Sequence, residues 1–169
     1  MTRKTFLQNT ALAAGGLFVM PAFSNFRFPD NNALAPELVK EFVGAAHGNL
    51  EKTKTMLAET PNLLNAAWDW GDGDFETGIG GAGHMGNVEI ANFLLEQGAR
   101  ADIFVLTMLG KTEIVKAMLE AFPALLRSPG PHGLSLLHHA ERGGEPAKEL
   151  FSYLQSKGLQ EKSFKVYKR

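Results

Sequence analysis

Cysteine is absent from this 169-residue chain, and its absence removes several kinds of chemistry. Without a thiol there is no disulfide, no thiolate nucleophile and no cysteine-ligated zinc or iron–sulfur site. The sequence also lacks a large excess of either charge, since it has 17 basic and 18 acidic residues. The basic residues do not form a surface interleaved with aromatic residues. We therefore expect no nucleic-acid partner. The sequence has no G-x-S-x-G and no paired carboxylates on an apolar helix face, so it predicts no enzyme activity and no cofactor.

Long hydrophobic runs are missing as well. The stretch Ala11 to Met20 is too short for a membrane span, which needs about 20 apolar residues. Arg3 and Lys4 precede it and the small-x-small sequence Ala22-Phe23-Ser24 follows it, which is the layout of a cleavable signal peptide over residues 1–24. The alternative is a disordered or helical tail of a cytosolic protein.

The basic head of this segment resembles a twin-arginine export signal, with Lys4 in place of the second arginine. Export by the twin-arginine or the Sec route is the expectation, giving a periplasmic or secreted protein with no stable membrane insertion after signal removal. Residues 1–24 carry two of the basic and none of the acidic residues, so the remainder has a formal net charge of −3. Residues 25–34, with Pro and Asn, are interpreted as a linker.

A repeated pattern fills residues 35–158. Four segments end in a glycine followed by a polar residue, and three of them carry an apolar pair eight and nine residues later. The turn glycines are Gly48, Gly86, Gly110 and Gly144. Apolar residues at three- and four-residue steps predict an amphipathic helix after each glycine, and Leu38 to Ala46 and Leu134 to Ala140 predict helices before two of them. Such short helices must stack on their neighbours to bury their apolar faces, so we predict an all-α fold of helix–turn–helix units.

Two of these segments resemble the ankyrin repeat. Gly86-Asn87-Val88 followed by Phe93 to Ala99 is similar to the second helix of that repeat and its glycine-ended cap. Ser135-Leu136-Leu137-His138-His139-Ala140 is similar to the opening Thr-Pro-Leu-His-x-Ala, with Ser and Leu replacing Thr and Pro. The resemblance implies a short ankyrin-like solenoid of about four units over 35–158, followed by a C-terminal tail, 159–169.

The spacing of the units is irregular. Only 24 residues separate Gly86 from Gly110, which leaves no room for the β-turn finger that joins ankyrin units, so Ala101-Asp102 should lead directly into the next helix. Longer connectors follow units one and three. We interpret them as two enlarged fingers, Asn65 to Glu76 and Arg127 to Gly133.

The first finger is the candidate binding site, because exposed aromatic and charged loop residues on a rigid scaffold suit recognition. We predict partner contacts at this finger and at nearby first-helix positions, namely Trp68, Trp70, Asp72, Asp74, Phe75, His84, Met85 and His139. Alternatively, the tryptophans fold back onto the helices to close a gap. Calcium is disfavoured, because the finger's aspartates are unevenly spaced and no bidentate Glu follows at the required distance.

The glycine-rich run Gly78 to Gly83 does not match a phosphate cradle, because no strand of a βαβ unit precedes it and no Lys-Ser/Thr ends it. Its small residues allow close helix approach or a widened groove beside the first finger. The run also weakens its helix, since each glycine costs roughly 1 kcal/mol relative to alanine.

Five histidines raise the question of a metal: His47, His84, His132, His138 and His139. The ankyrin resemblance implies that backbone bonds hold the His138 ring, and adjacent helical positions such as His138 and His139 diverge by about 100°. His47 and His84 lie near the turns of stacked units and are able to approach each other. Lacking cysteine and an H-x-x-x-H pair, the sequence predicts no metal site.

These patterns together predict a non-catalytic protein–protein interaction module that is exported and binds another protein through finger loops and first helices. The alternative is a small-ligand or metal-binding accessory protein that supports an exported enzyme and uses the groove by Gly80 to His84.

Overall fold

The structure is a computed structural model that describes residues 33–166. The predicted signal peptide, 1–24, and most of the predicted linker, 25–34, lie outside the described residues. Across the part that is described, no helix combines the length and apolarity needed to cross a membrane.

Helices form almost all of the regular structure, which confirms the predicted all-α class. In chain order the helices are α1 (Pro36–Ala46), α2 (Leu50–Glu59), α3 (Gly78–Met85), α4 (Val88–Glu96), α5 (Ile103–Met108), α6 (Thr112–Ala121), α7 (Leu136–Gly143) and α8 (Lys148–Ser156). Short 3-10 helices lie at Pro61–Asn65, Pro123–Arg127, Pro131–Gly133 and Glu145–Ala147. Strands β1 (Ala67–Asp69) and β2 (Phe75–Thr77) form one antiparallel hairpin between α2 and α3.

Within residues 33–166 the helices are arranged as four consecutive pairs. Each odd-numbered helix packs against the even-numbered helix that follows it, and the odd-numbered helices also contact one another in the order α1, α3, α5, α7. Helix α3 also contacts α7, and α5, which lies between them in this order, has only six residues. The odd-numbered helices therefore form a continuous layer, and the hairpin and the connector before α7 emerge beside it.

Side-chain caps fix where several helices begin. Asn49, Asn87 and Asp102 each accept a hydrogen bond from the backbone N–H three residues ahead, at the starts of α2, α4 and α5. Such caps satisfy an N–H that otherwise has no partner in the first turn. Asp102 follows Ala101 directly into α5 with no strand between α4 and α5, which matches the short spacing in the sequence.

Gly86 shows why a turn glycine is needed between paired helices. It has φ of 74°, a conformation that side chains disfavour, and a Cβ there would lie 2.6 Å from the carbonyl oxygen of Arg142. The turn between α3 and α4 thus comes close to the backbone of α7, and only glycine permits both the conformation and the contact.

In the part of the chain that the structure describes, the core has two apolar clusters. The first gathers residues from α1 to α5, including fully buried Phe42 and Leu94. The second runs from α5 to the segment after α8 and includes fully buried Leu159. Leu159 lies in the segment that the sequence assigned to a tail. Ser163 forms a β-bridge with Leu134, so this segment also pairs with the connector before α7.

The two long connectors differ in form. The first contains the β1–β2 hairpin, whose turn Gly71-Asp72-Gly73 has positive φ at all three residues. The second, predicted at 127–133, has no strand and instead makes a 3-10 turn at Pro131–Gly133. Both connectors contact α3, so side chains from the two connectors lie near each other beside this helix.

Candidate metal centre

Glu76, on strand β2, lies at the centre of a polar cluster. Successive side chains of a strand alternate between its faces, so Asp74 and Glu76 point inward while Phe75 points out. Asp74 and Glu76 are 0% and 1% exposed, and Phe75 is 62% exposed. A carboxylate this deeply buried needs charged or hydrogen-bonding neighbours, since burial without them is strongly unfavourable.

Three histidines surround the Glu76 carboxylate. His84 Nδ1 is 2.8 Å from Oε1, whereas His47 Nε2 and His132 Nε2 are 3.3 Å and 3.5 Å from Oε2. They come from three places in the chain: the C-terminal end of α1, helix α3 and the Pro131–Gly133 turn. The expected approach of His47 to His84 is confirmed, since their ring centroids are 4.8 Å apart.

The spacing of the four donor atoms is close to that of a metal site. All four atoms, one from each residue, lie within 4.8 Å of one another. Two ligands bonded to one zinc ion at about 2.1 Å cannot be more than about 4.2 Å apart. Four ligands at the corners of a tetrahedron around such an ion are about 3.4 Å apart, so side-chain movements of somewhat under 1 Å each would give all four a common centre.

Two of the imidazoles are held in the form that a metal requires. The Val43 carbonyl accepts a hydrogen bond from His47 Nδ1 at 2.8 Å, and Asp74 Oδ2 accepts one from His132 Nδ1 at 2.9 Å. With the proton on Nδ1, the neutral ring turns the Nε2 lone pair toward the cluster. Metal-ligating histidines are commonly fixed in this way by a carbonyl or carboxylate at the other ring nitrogen.

His132 is held by Asp74 in an unfavourable backbone conformation. Its φ of 59° is rare for a side-chain-bearing residue, and Asp74 Oδ1 accepts its backbone N–H at 2.7 Å while Oδ2 faces its ring. Strained residues persist where surrounding contacts fix them, and they concentrate at functional sites. Asp74 thus determines the position of the His132 ring.

Two buried atoms of the cluster lack an aligned hydrogen bond. Among the described residues, Glu76 Oε1 and His84 Nδ1 have no partner of acceptable geometry, although they are only 2.8 Å apart. Buried polar atoms almost always find a partner, and an exception calls for an explanation such as an ion. A cation between these two atoms would satisfy both.

Trp70 closes the cluster on its outer side. Its indole N–H donates to Glu76 Oε2 at 2.7 Å, and its ring centroid lies 6.3 Å and 6.1 Å from those of His47 and His132. This bond holds one carboxylate oxygen and leaves Oε1 directed at His84. Trp70 is thereby a positioning residue for Glu76.

The glycines of α3 make room for the ligands. A Cβ on Gly81 would lie 2.9 Å from the His47 ring, and one on Gly78 would lie 2.8 Å from Phe42. The run predicted to permit close helix approach does so at both positions. Gly81 specifically admits the His47 imidazole to the cluster.

The electrostatics of the cluster favour an ionised carboxylate. Burial raises the pKa of Glu76, but the interactions with the nearby His47 and His84 imidazoles outweigh burial and lower that pKa to about 2. The interaction with Glu76 in turn raises the pKa of His47 against the effect of burial. The Glu76 carboxylate is therefore ionised, and a cation bound to it would compete with the proton of His47.

The other two histidines have structural roles. His138 Nε2 contacts the carbonyl oxygen of His84 at 3.0 Å, as the expected backbone attachment of its ring requires. His139 is 1% exposed and its Nδ1 donates to the Ser135 carbonyl at 2.8 Å. Burial lowers the pKa of His139 to about 4.

The predicted partner contacts fall into two groups. Trp70, Asp72 and Phe75 are exposed on the hairpin, and Met85 is exposed at the C-terminal end of α3. Asp74, His84 and His139 are buried in the structure, and their role in partner contact stays a prediction. Their polar groups face the interior of the stack. A sequence pattern cannot distinguish polar side chains that face the interior from polar side chains on the surface.

Trp68 fits the structural alternative that the sequence left open. It is half-buried and packs against the first core cluster, so this indole closes a gap beside α1. The two tryptophans of the finger therefore do different things, one in packing and one at the cluster.

Sequence reasoning missed Glu76 and left His132 unplaced. The available signal was the alternation Asp74-Phe75-Glu76, which on a strand turns two carboxylates to one face. That signal was hidden because the segment was assigned to an irregular finger. No family model, curated protein or solved structure matches this chain.

Proposed function

We propose that this protein binds one divalent transition-metal ion through His47, Glu76, His84 and His132. The observation that carries the proposal is the pair of buried atoms, Glu76 Oε1 and His84 Nδ1, which face each other at 2.8 Å without an aligned hydrogen bond. Two further imidazoles approach the same carboxylate, so four donor atoms converge on one point.

The donor set suits some metals better than others. Imidazole nitrogens favour zinc, copper, iron and nickel, whereas calcium and magnesium prefer oxygen ligands throughout. Three nitrogens and one carboxylate oxygen therefore favour an ion such as Zn²⁺ or Co²⁺. The Glu76 carboxylate and the Asp74 carboxylate, which contacts the His132 ring, would together balance the charge of a divalent ion.

The scaffold around this site is proposed to be a divergent ankyrin-like solenoid of about four units. Its support is the layer of contacting odd-numbered helices, the glycine turns and the match of residues 135–140 to the repeat opening. Export to the periplasm or the exterior is likewise proposed from the sequence of residues 1–24. The metal site would then serve an exported binding protein with no enzyme activity of its own.

Titration calorimetry of metal-free protein with Zn²⁺ tests the proposal. We expect one ion per chain, and thermal unfolding should shift upward because a ligand at 100 times its Kd adds about 2.7 kcal/mol to folding stability. Glu76→Gln and His84→Gln should each reduce the affinity at least tenfold, since each removes a ligand or its charge.

Glu96→Gln is the matched control, because Glu96 is exposed at the end of α4 away from the cluster. It should bind Zn²⁺ like the unaltered protein. A stoichiometry near zero, or equal affinity in the Glu76→Gln and Glu96→Gln variants, would refute the metal proposal.

A second proposed function is protein binding at the outer face of the hairpin. Phe75 is 62% exposed and Met85 is 43% exposed, and apolar side chains of this size are typical anchors of an interface. Substituting both tryptophans would not test this function cleanly, since Trp70 also holds Glu76. Phe75→Ser should leave Zn²⁺ binding unchanged and abolish crosslinking of the native protein to a partner, and retention of the same crosslinks would count against it.

A further inference from the structure

We infer that the metal ion is a structural cross-link that joins the two parts of the core and thereby holds the C-terminal segment, residues 159–166, against the connector before α7. The inference rests on the proposed metal site and adds what the bound ion does to the fold. It follows from where the four ligands lie, from the contacts that continue beyond His132 and from the strained backbone of that residue.

The four ligands and their neighbours surround the ion with protein. Three imidazole nitrogens and one carboxylate oxygen complete the tetrahedral set that zinc adopts in structural sites. Asp74 contacts the His132 ring and balances the second positive charge, and the Trp70 indole lies beside His47 and His132 on the outer side. An ion with four protein ligands contributes its binding energy to folding.

The ligands come unevenly from the two apolar clusters of the core. His47, Glu76 and His84 lie at the end of α1, on β2 and on α3, and both helices supply buried residues of the first cluster. Of the four proposed ligands, His132 alone lies in the connector that leads into α7, whose buried residues belong to the second cluster. One ion bound to all four residues therefore connects the two clusters through the His132 ring.

Backbone hydrogen bonds continue this connection from His132 to the C-terminal segment. The carbonyl of Gly133, the next residue, accepts the Phe164 N–H at 2.8 Å. The Ser135 N–H donates to the Lys162 carbonyl at 2.9 Å. The C-terminal segment is thus attached to the same short connector that presents His132 to the cluster.

The conformation of the connector depends on the contacts that His132 makes. Its φ of 59° is unfavourable, and two hydrogen bonds to Asp74 hold it there. An opening that withdraws the His132 ring costs the loaded protein one metal ligand. A ligand that prefers the closed form lowers the population of the open form. The ion therefore suppresses opening of the connector, and it does not affect an opening that keeps the four ligands together.

Amide hydrogen exchange of the full chain, measured by NMR with and without Zn²⁺, tests the inference. The reporters are the amides of Ser135 and Phe164, which donate across the junction between the connector and the C-terminal segment. With free Zn²⁺ at 100 times its Kd, an opening that abolishes binding is suppressed about 100-fold. Three ligands retain part of the affinity when His132 leaves, so we expect these amides to exchange about 10- to 100-fold more slowly with the ion.

The Phe122 amide is the control within the same molecule. It donates to the Met118 carbonyl at the end of α6, and its opening moves none of the four ligands. Its exchange rate should not change when Zn²⁺ is added. Equal slowing at Phe122 and Phe164 would indicate general stabilisation and would overturn the cross-link.

Two variants separate the metal link from the other contacts of the C-terminal segment. His132→Asn removes the ring but introduces a residue that tolerates the left-handed backbone, so the Zn²⁺-dependent slowing at Phe164 should disappear even when the other three ligands are loaded. Glu141→Gln is the matched control, because it removes the 2.6 Å ion pair between Glu141 and Lys162 and leaves the connector unaltered. It should keep the full Zn²⁺-dependent slowing.

The outcomes distinguish the two proposals. If Zn²⁺ binds with one equivalent but the Ser135 and Phe164 amides exchange at unchanged rates, the metal function stands and the cross-link is refuted. Slowing that persists in Zn²⁺-loaded His132→Asn would refute the role of His132, and if this variant binds no Zn²⁺ the comparison of Phe164 with Phe122 in the unaltered chain decides. If the unaltered chain binds no Zn²⁺, both proposals are wrong.

Discussion

Gly81 and His47 are in such close contact that a single methyl group would not fit between them. A Cβ built on Gly81 would lie 2.9 Å from both Cε1 and Nδ1 of the His47 imidazole. The ring is also attached to the Val43 carbonyl, so it cannot move aside without giving up that hydrogen bond.

We therefore predict that Gly81→Ala displaces His47 and lowers Zn²⁺ affinity about 10- to 100-fold, the range found when the groups that orient a metal ligand are altered. Calorimetric titration of the variant measures the loss. Gly44→Ala is the control, since a Cβ at Gly44 meets no atom within 4 Å and should add up to about 1 kcal/mol of helix stability. Unchanged affinity in Gly81→Ala would show that His47 is not a ligand.

Asp74→Asn should weaken the site through His132. The amide cannot accept both the backbone and the ring N–H of His132 with the strength of a carboxylate, so the ring loses its fixed orientation. We expect Zn²⁺ affinity to fall about 10- to 100-fold and folding stability to fall by about 1–3 kcal/mol.

Asp72→Asn is the matched control for that substitution. Asp72 lies in the same hairpin turn, is exposed and has φ of 57°, a conformation that asparagine tolerates. Chemical denaturation and titration should both give values close to those of the unaltered protein. Equal effects of the two substitutions would contradict the role given to Asp74.

Trp70→Phe should separate the indole N–H from the bulk of the ring. Phenylalanine keeps an aromatic cover but gives no donor to Glu76 Oε2, so the carboxylate becomes free to rotate. We predict about a tenfold loss of Zn²⁺ affinity, whereas Trp68→Phe should leave the affinity unchanged. The two variants are compared by competition with a chromophoric chelator, and a loss that is the same in both would argue for a general effect of the hairpin.

Stability should fall as the solution becomes acidic between pH 6.5 and pH 4, because of His139. Its pKa is about 4 in the folded protein and 6.5 when unperturbed, so in this window the unfolded chain binds a proton that the folded chain excludes. The direction is therefore a loss of stability as pH falls, of at most about 3 kcal/mol for this one group. Above pH 6.5 both states are neutral at this position and the effect vanishes.

His139→Leu removes that titration while keeping an apolar side chain in the buried position. Urea unfolding of metal-free protein across this pH range should give a flatter profile for the variant than for the unaltered chain. If the two profiles are parallel between pH 6.5 and pH 4, then burial of neutral His139 is not the cause of acid sensitivity.

The helical architecture could be predicted from the sequence because its causes are local. Apolar residues at helical spacing, the caps Asn87 and Ser135 and the turn glycine Gly86 each act within a few residues of the chain. The sequence also predicted that no finger separates α4 from α5. The 24-residue step from Gly86 to Gly110 is too short to include a finger between the two helices.

The candidate site was decided by the tertiary structure. His47 and His132 are far from the other two residues in the chain, and no two of the four residues, including Glu76 and His84 at a separation of eight, have a spacing that is typical of metal ligands. They meet because the odd-numbered helices stack in one layer and two connectors turn back beside α3. A sequence pattern indicates which residues lie in the same helix or strand. Whether residues from four different elements meet depends on how closely those elements pack, for example on the space that Gly81 leaves for the His47 ring. For that reason the sequence alone determined a stack of helix pairs, and only the folded chain brought three imidazoles to one buried carboxylate.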